Sequence, residues 1–324
     1  MARIYLFIVL LLMALNPLSA NAAAQTVRLA LHWLPQAQFA GYYVALEKGF
    51  YREAGLNVEL LTGGPDYVPA NRLSSGEAQF ATMFLSHALE RWAAGIPMVN
   101  VAQTFQRSSL MIVTRKKDNI RTIADLDKRR VGMWANEFQL QPWALFRQND
   151  INVSIVQSNG SVELFLRGAV PAVLAMWYNE FHVILSSGYR EEELHSFFFK
   201  DTSFDFPEDG IYCFVDTVQN NPEVIRALTS ATLRGWEYTF EHEEEALDIV
   251  EEQMRQANLP VSRVHQRWML KVVKTAMTPK DGGGLTGQLN RQSYDSVAKT
   301  LRASGFIQDL PSYEDFVWRP EDAD

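Results

Sequence analysis

Four short segments of the chain combine aromatic rings with amide, hydroxyl, imidazole or carboxyl groups. Rings supply flat apolar surface for stacking, and polar tips fix the orientation of a bound molecule. This combination predicts the binding of a flat, hydrogen-bonding ligand. The candidate residues are Trp33, Gln36, Gln38 and Phe39; Met83, Ser86 and His87; Met133, Trp134, Asn136 and Glu137; and Trp177, Tyr178, Asn179 and Glu180.

The charge of these side chains favours an amine-bearing ligand over an anion. A sulfonate or nitrate site would need Arg, Lys or clustered N–H donors, and the four segments contain neither Arg nor Lys. Glu137 and Glu180 instead offer carboxylates, which accept hydrogen bonds from an exocyclic amine or a protonated ring nitrogen. For each segment, a core aromatic residue beside a helix cap is the alternative interpretation.

Motifs for common enzyme chemistry and for metal binding are absent from the sequence. It contains no G-x-S-x-G elbow, no G-x-x-x-x-G-K-[ST] loop and no H-E-x-x-H pair. The six histidines include no pair at i+3 or i+4, so a metal site on one helix is not expected. The lone Cys213 lies in an apolar run, which predicts a buried small side chain and no internal disulfide. We expect no cofactor.

The candidate segments follow predicted strands, which is where open α/β sheets collect ligands. Val27, Leu29 and Leu31 alternate with polar or small residues and predict a first strand. A helix then runs to Gly49, and a further helix at 86–94 is expected to have Ser86 as its cap. Additional helices are expected over 122–128 and 139–148.

Strands that alternate with helices predict an α/β fold with mostly parallel sheets. The length suits two lobes of ordinary domain size, followed by a mostly helical C-terminal segment. We expect the first lobe to comprise residues 25–114 and 217–324, and the second lobe residues 115–216. The strand over 210–216 is a candidate for returning the chain to the first lobe.

The N-terminus has the pattern of a secretory signal peptide, assigned to residues 1–22. Arg3 precedes the apolar stretch Ile4–Leu15, and Ala20-Asn21-Ala22 fits a small-residue cleavage site. No cysteine lies near this site, so we expect an exported protein without a lipid anchor, located in the periplasm. The net charge of −8 argues against a nucleic-acid partner.

The first candidate segment also carries a family resemblance. Trp33-x-Pro35 is followed by Ala-Gly-Tyr-Tyr-Val-Ala at 40–45, Lys-Gly-Phe-Tyr at 48–51 and Ala-Gly-Leu-Asn-Val at 54–58. This pattern resembles the periplasmic binding proteins for thiamine pyrimidine precursors. Their wider group includes sulfonate- and nitrate-binding proteins and a eukaryotic-type thiamine pyrimidine synthase. The likeness continues through 76–95, 122–138, 176–181 and 210–228, and so covers most of the chain.

The resemblance implies a type 2 periplasmic-binding-protein fold, with two lobes joined by crossover strands. It also implies a solute-binding protein of an ABC importer that binds a small heteroaromatic solute, such as a thiamine pyrimidine precursor, between the lobes. Its partner would be an ABC permease in the inner membrane, and we expect a monomer.

Two other functions remain open at this point. One is a synthase-like enzyme of thiamine biosynthesis, which would use a lysine four residues before a histidine. Here His87 matches that histidine, but Met83 replaces the lysine and cannot form a Schiff base. The cysteine-rich motif of that enzyme corresponds to 211–214, which has one cysteine. We therefore expect no enzyme activity. The other alternative is a ligand-sensing module for a signalling receptor.

Overall fold

The structure, a computed structural model, describes residues 24–134, 136–158, 160–279 and 282–319, without the side chains of Asn136 and Glu137. The expected signal peptide and its cleavage site lie outside these residues. Within the described ranges, every helix is too short or too polar to cross a lipid bilayer.

Two mixed five-stranded sheets form the centres of two lobes. In the first sheet the strand order is β2-β1-β3-β10-β4, and in the second it is β7-β6-β8-β5-β9. The strands are β1 (Gln25–Ala30), β2 (Leu56–Leu61), β3 (Phe80–Phe84), β4 (Met98–Gln103), β5 (Leu110–Arg115), β6 (Arg130–Met133), β7 (Ser154–Gln157), β8 (Ala172–Met176), β9 (Leu194–Phe198) and β10 (Asp209–Phe214).

Helices flank both sheets and make up most of the C-terminal part of the described chain. They are α1 (Ala40–Glu47), α2 (Phe50–Glu53), α3 (Pro69–Ser74), α4 (Leu85–Ala93), α5 (Leu140–Gln148), α6 (Glu163–Leu166), α7 (Glu180–Ser186), α8 (Val215–Asn220), α9 (Pro222–Glu241), α10 (Glu243–Gln256), α11 (Arg263–Met277), α12 (Arg291–Ala303) and α13 (Tyr313–Phe316). The predicted α/β fold with two lobes and a helical C-terminal segment is confirmed.

Each sheet contains one strand that arrives directly from the other lobe. Strand β5 runs antiparallel between β8 and β9, and β10 runs antiparallel between β3 and β4. The remaining four strands of each sheet run in one direction, as expected for mostly parallel sheets. The strand pairing differs from the expected lobe limits, because β5 belongs to the second sheet and β10 to the first. We therefore place the two crossings at 104–109 and 199–208.

Local sequence signals explain several elements and fail at others. Gly49, with a φ of 76°, separates α1 from α2 and takes the left-handed conformation that glycine tolerates. Helix α4 begins directly after β3 with Phe84 at its N-cap, so the expectation that Ser86 caps it was wrong. The helix expected over 122–128 is a short 3-10 turn, Ile123–Leu126, held by a Thr122–Asp125 capping box.

Helix α11 connects the two lobes on one side of the molecule. Its Gln266 side chain accepts a hydrogen bond from the backbone N of Ala37 at 2.8 Å. Its Trp268 Nε1 donates to the backbone O of Trp177 at 2.9 Å. The first contact lies in the loop after β1 and the second in the segment after β8. The helix therefore fixes the spacing between two of the loops that carry candidate site residues.

Candidate functional site

A narrow cleft, partly open to solvent, lies between the two lobes and leaves about 30 Å³ for the centres of water-sized molecules. The first lobe lines it with His32, Trp33, Gln36, Gln38 and Phe84, and the second with Trp134, Phe138, Met176, Tyr178, Asn179 and Glu180.

The lining residues come from the ends of strands. The loop after β1 supplies the residues of the first lobe other than Phe84, which is the last residue of β3. Trp134 follows β6 directly, and Met176 ends β8 immediately before the Tyr178–Glu180 segment. Parallel strands bring their carboxyl ends to one edge of each sheet, and the two edges face each other across the cleft.

Aromatic side chains of both lobes meet at one wall of the cleft. The ring centroid of Phe138 lies 5.9 Å from that of Trp33, 5.4 Å from Phe84 and 5.7 Å from Trp134, each in an edge-to-face arrangement. Edge-to-face packing at these distances is favourable for aromatic pairs. The wall presents flat apolar surface from both lobes to a ligand.

Glu180 is the buried carboxyl group of the second lobe. Its Oε2 accepts a hydrogen bond from the backbone N of Met176 at 2.9 Å, and its Oε1 accepts from Asn179 Nδ2 at 2.8 Å. Burial raises the pKa of Glu180 to about 7, although these hydrogen bonds oppose the shift. A carboxylate oxygen accepts more than one hydrogen bond, so the group can still accept one from a ligand.

Asn179 is held in turn by the bridging helix α11. His265 Nε2 lies 2.9 Å from Asn179 Oδ1, and His265 Nδ1 lies 2.9 Å from His182 Nδ1 on α7. Because Asn179 gives its amide N–H to Glu180, its oxygen is the end that faces the imidazole. The arrangement links the first lobe, through α11, to the carboxyl group that lines the cleft.

A chain of buried polar groups supports the first lobe's side of the cleft. Gln38 Nε2 lies 2.8 Å from Asp209 Oδ2 and 3.1 Å from His32 Nε2, and His32 Nδ1 lies 2.8 Å from Thr82 Oγ1. Burial, with a smaller contribution from His87, lowers the pKa of His32 to about 3, so this imidazole is neutral. Burial also raises the pKa of Asp209 to about 8.

The structure brings together part of the residue set expected from the sequence. Trp33, Gln36, Trp134 and the run Tyr178–Glu180 line the cleft, as does Gln38. The side chain of Glu137 lies outside the described residues, and so does that of Asn136. Ligand contact by Glu137 stays a prediction.

The other expected residues lie away from the lining of this cleft. Phe39 is fully buried and packs edge-on against His32 at 5.1 Å, while Met83 and Ser86 are buried near the β3–α4 junction. His87 accepts a hydrogen bond from Arg91 Nε at 2.9 Å, and burial lowers its pKa to about 3. The Trp177 ring packs on Phe198. Met133 is also fully buried. These residues support the lobes, and we do not assign them ligand contact.

The cleft also contains residues that the sequence did not single out. His32, Phe84, Phe138 and Met176 line it, and Asp209 supports it from behind. Phe84 and Met176 are the last residues of strands, which is a usable sequence signal. Asp209 gives no such signal, because it reaches the first lobe only on the crossing strand β10.

Cationic side chains and metal-binding clusters are not part of the site. Among the described residues, the cleft lining contains no Arg or Lys. In the same part of the chain, no group of three or more His, Cys, Asp or Glu side chains is arranged to hold a metal ion. Cys213 is fully buried, as expected, and burial raises the pKa of its thiol. The described lining therefore offers aromatic surface, hydrogen-bond acceptors and neutral donors, but no cationic side chain.

Known proteins of similar sequence cover nearly the whole chain. The chain is 24% identical over 309 residues to the Formylaminopyrimidine-binding protein of Halalkalibacterium halodurans, covering 93% of this chain and 92% of that one. It is 25% identical over 308 residues to the riboflavin-binding protein RibY of Chloroflexus aurantiacus, covering 89% and 84%.

Solved structures share the fold at low sequence identity. The periplasmic aliphatic sulphonate binding protein SsuA from Escherichia coli superposes with a TM-score of 0.69 at 13% identity, covering 91% of this chain and 92% of that one. This likeness confirms the expected periplasmic-binding-protein fold. The family model described as NMT1/THI5 like matches residues 36–246, which include the cleft residues from Gln36 to Glu180 and both lobe crossings. The chain therefore belongs to the NMT1/THI5-like family.

Proposed function

We propose that this protein is the extracytoplasmic solute-binding protein of an ABC importer and holds a small heteroaromatic amine, such as a thiamine pyrimidine precursor, between its lobes. The observation that carries the proposal is the composition of the interlobe cleft. Aromatic rings from both lobes meet there beside the buried Glu180 carboxyl, and the described lining has no Arg or Lys.

The proposed ligand chemistry follows from the stacking and hydrogen bonds that these side chains can offer. Trp33 and Trp134 provide ring faces for stacking, and Glu180 provides an acceptor for an amine or a protonated ring nitrogen. An oxyanion would find no cationic partner in the described lining and would face a carboxyl group. The names of two relatives, for a formylaminopyrimidine-binding and a riboflavin-binding protein, agree with a nitrogen heterocycle.

Binding between the lobes couples the ligand to the shape of the molecule. A ligand that touches both sides of the cleft binds the closed form better than the open form, and so shifts the population towards closure. Closure would present a joint surface of both lobes to an ABC permease of the inner membrane. The proposed location is the periplasm, after removal of residues 1–22.

A synthase-like activity is the less favoured alternative. Met83, at the position where the resemblance places the Schiff-base lysine, is buried outside the cleft lining. Cys213, in the segment that matches the cysteine-rich motif, is also buried. Neither residue can supply the chemistry that the enzyme requires.

Thermal melting with a ligand panel tests the proposal. We expect 4-amino-2-methylpyrimidine-type compounds to raise the melting temperature, and taurine and nitrate to leave it unchanged. A ligand present at a hundredfold excess over its Kd adds about 2.7 kcal/mol to the stability. Mass spectrometry of natively purified protein identifies any ligand that co-purifies. A shift with sulfonates and none with pyrimidines would contradict the proposed ligand class.

A further inference from the structure

The Gln36 side chain lines the cleft and forms one end of a chain of buried hydrogen bonds. Gln36 Nε2 donates to Gln38 Oε1 at 2.6 Å, and Gln38 Nε2 donates to Asp209 Oδ2 at 2.8 Å. Gln38 and Asp209 are each only 2% exposed, and of these two only Gln38 lines the cleft together with Gln36. The chain connects the crossing strand β10 to the ligand side of the first lobe.

Asp209 orients the amide groups of this hydrogen-bonded chain. Asp209 Oδ2 faces the N–H end of the Gln38 amide, and a carboxyl group keeps an acceptor oxygen in either protonation state. His32 Nε2 lies 3.1 Å from the same Gln38 nitrogen, and it is a second acceptor there in the tautomer whose Nδ1–H donates to Thr82 Oγ1. A turned Gln38 amide would place its oxygen against both acceptors.

The orientation of the Gln38 amide in turn sets the orientation of the Gln36 amide. With its nitrogen held by Asp209 and His32, Gln38 turns its oxygen towards Gln36 and so receives the Gln36 N–H. This leaves Gln36 Oε1, an acceptor, as the amide atom available to a ligand. Among the described residues, Gln36 Oε1 has no hydrogen-bond partner of its own.

Protonation of Asp209 does not reverse the chain. Its Oδ1 is buried and has no hydrogen-bond partner among the described residues, and it lies 3.5 Å from His32 Nε2. A proton on Oδ1 would point towards that imidazole nitrogen, while Oδ2 would still accept from Gln38. With the proton on Oδ1, the Gln36 oxygen is presented by the neutral as well as by the ionised form of Asp209.

We propose that Asp209 is a positioning residue that, through Gln38, holds the Gln36 amide with its oxygen towards the ligand, so that this corner of the cleft selects a hydrogen-bond donor. The inference rests on the proposed function and adds a second acceptor to it. Gln36 in the first lobe and Glu180 in the second together suit a ring that carries N–H donors at two places.

Calorimetric titration with two matched probes tests the inference. The probes are 4-amino-2-methylpyrimidine and 2,4-dimethylpyrimidine, which differ by an amine in place of a methyl group. We expect the natural protein to prefer the amine by tenfold or more, since an unmatched acceptor loses the hydrogen bond without compensation. Asp209→Leu should reduce this preference at least fivefold, mainly by weakening binding of the amine.

Two further variants separate positioning from a general structural role. Asp209→Asn keeps an acceptor for Gln38 and should keep the preference within about twofold of the natural protein, because its amide nitrogen can donate to His32. Gln38→Met preserves the side-chain volume and breaks the hydrogen-bonded chain. It should show the same loss of preference for the amine as is expected of Asp209→Leu, and it serves as the test if Asp209→Leu does not fold. Circular dichroism confirms folding of each variant.

The outcomes distinguish the inference from the proposed function. If Gln38→Met weakens both probes by the same factor, the positioning role is overturned while a heteroaromatic ligand remains supported. If both probes bind the natural protein equally, the amine meets neither Gln36 nor Glu180, and both acceptor assignments fail. If neither probe binds the natural protein, the proposed ligand class fails, and the inference fails with it.

Discussion

Glu180 is the residue whose protonation state decides what the second lobe offers a ligand. Burial raises the pKa of Glu180 to about 7, so this carboxyl group changes between its ionised and neutral forms near neutral pH. In its ionised form the group accepts hydrogen bonds only, and in its neutral form it also carries a donor. The binding of an amine should therefore depend on pH in a direction that can be stated in advance.

We expect the affinity for the unprotonated form of an aminopyrimidine to fall as the pH is lowered from 8 to 6. Below a pKa of about 7 the carboxyl group takes up a proton and competes less well for the amine. Calorimetry with Glu180→Gln should show roughly tenfold weaker binding at pH 8 and little change with pH. Glu192→Gln, at an exposed carboxylate, is the control and should keep the natural profile. Tighter binding at pH 6 would contradict the assignment.

Trp33 and Phe39 were both site candidates, and the structure gives them different surroundings. Trp33 is partly exposed at the cleft, and Phe39 is fully buried. We expect Trp33→Ala to weaken ligand binding by about 1–3 kcal/mol with a small loss of stability. Phe39→Ala should instead destabilise the fold by about 3–5 kcal/mol. Paired calorimetry and chemical denaturation measure both quantities; equal affinity for natural protein and Trp33→Ala would remove Trp33 from the site.

The site could be predicted from sequence only where the signal is local. Trp134 and the run 178–180 follow apolar strands, and their position at strand ends can be predicted from the sequence alone. Phe39 was misplaced because a helical spacing of aromatic residues does not say which face is buried. Its backbone lies in a 3-10 turn, Ala37–Phe39, whose three side chains are all buried. Asp209 was missed because it lies 171 positions from Gln38 along the chain.

At the scale of elements, α1 and α9 pack closely against each other in the first lobe. A Cβ added at Gly235 would lie 2.2 Å from the backbone O of Gly41, and one added at Gly41 would lie 2.3 Å from the Trp236 ring. Two glycines from distant parts of the chain thus permit one helix crossing. The Ala-Gly-Tyr-Tyr motif was visible in the sequence, but the reason for its glycine was not, since Gly235 and Trp236 lie on another helix.

We expect Gly235→Ala to destabilise the protein by about 1–3 kcal/mol, because the new methyl group must push the two helices apart. Gly284→Ala is the matched control: no atom lies within 4 Å of its added Cβ, so its effect should be within about 0.5 kcal/mol. Urea denaturation gives both values. Equal stability of the two variants would show that the helices separate without cost.

At the scale of the whole molecule, two adjacent carboxyl groups are buried where the chain returns to the first lobe. Glu208 Oε1 accepts hydrogen bonds from the backbone N atoms of Ser109 and Leu110 on the other crossing. Burial and the neighbouring Asp209 raise the pKa of Glu208 to about 8. Both crossings are therefore joined by one carboxyl group that resists ionisation.

The raised pKa of Glu208 predicts the direction in which the stability of the protein changes with pH. The native state holds a proton on Glu208 that the unfolded chain releases above a pKa of about 4.3. The contribution of Glu208 is fully present below that pH and is lost as the pH rises towards 8. Glu208→Gln should gain stability relative to the natural protein between pH 5 and 8, by up to about 1.4 kcal/mol per pH unit. Parallel slopes of stability against pH for the two proteins would contradict the shift.

The bridging helix α11 should control how readily the two lobes close. Trp268 Nε1 donates to the backbone O of Trp177, and this bond crosses from the helix to the loop that carries Tyr178, Asn179 and Glu180. Loss of the bond should favour open forms, and the apparent affinity falls in proportion to the fraction of molecules that can bind. The same bond has no direct part in ligand contact, because the Trp268 ring lies outside the cleft lining.

We expect Trp268→Phe, which removes the N–H and keeps most of the ring, to weaken aminopyrimidine binding by about three- to tenfold, the equivalent of one lost hydrogen bond. Small-angle scattering should show a larger radius of gyration for the ligand-free variant and the natural value at saturating ligand. Trp143→Phe is the control, since Trp143 Nε1 donates to Gln139 within the second lobe and should leave affinity and radius unchanged. Trp268→Phe could bind the ligand more weakly and yet have the ligand-free radius of gyration of the natural protein. In that case α11 acts locally on the loop after β8, and not on lobe closure.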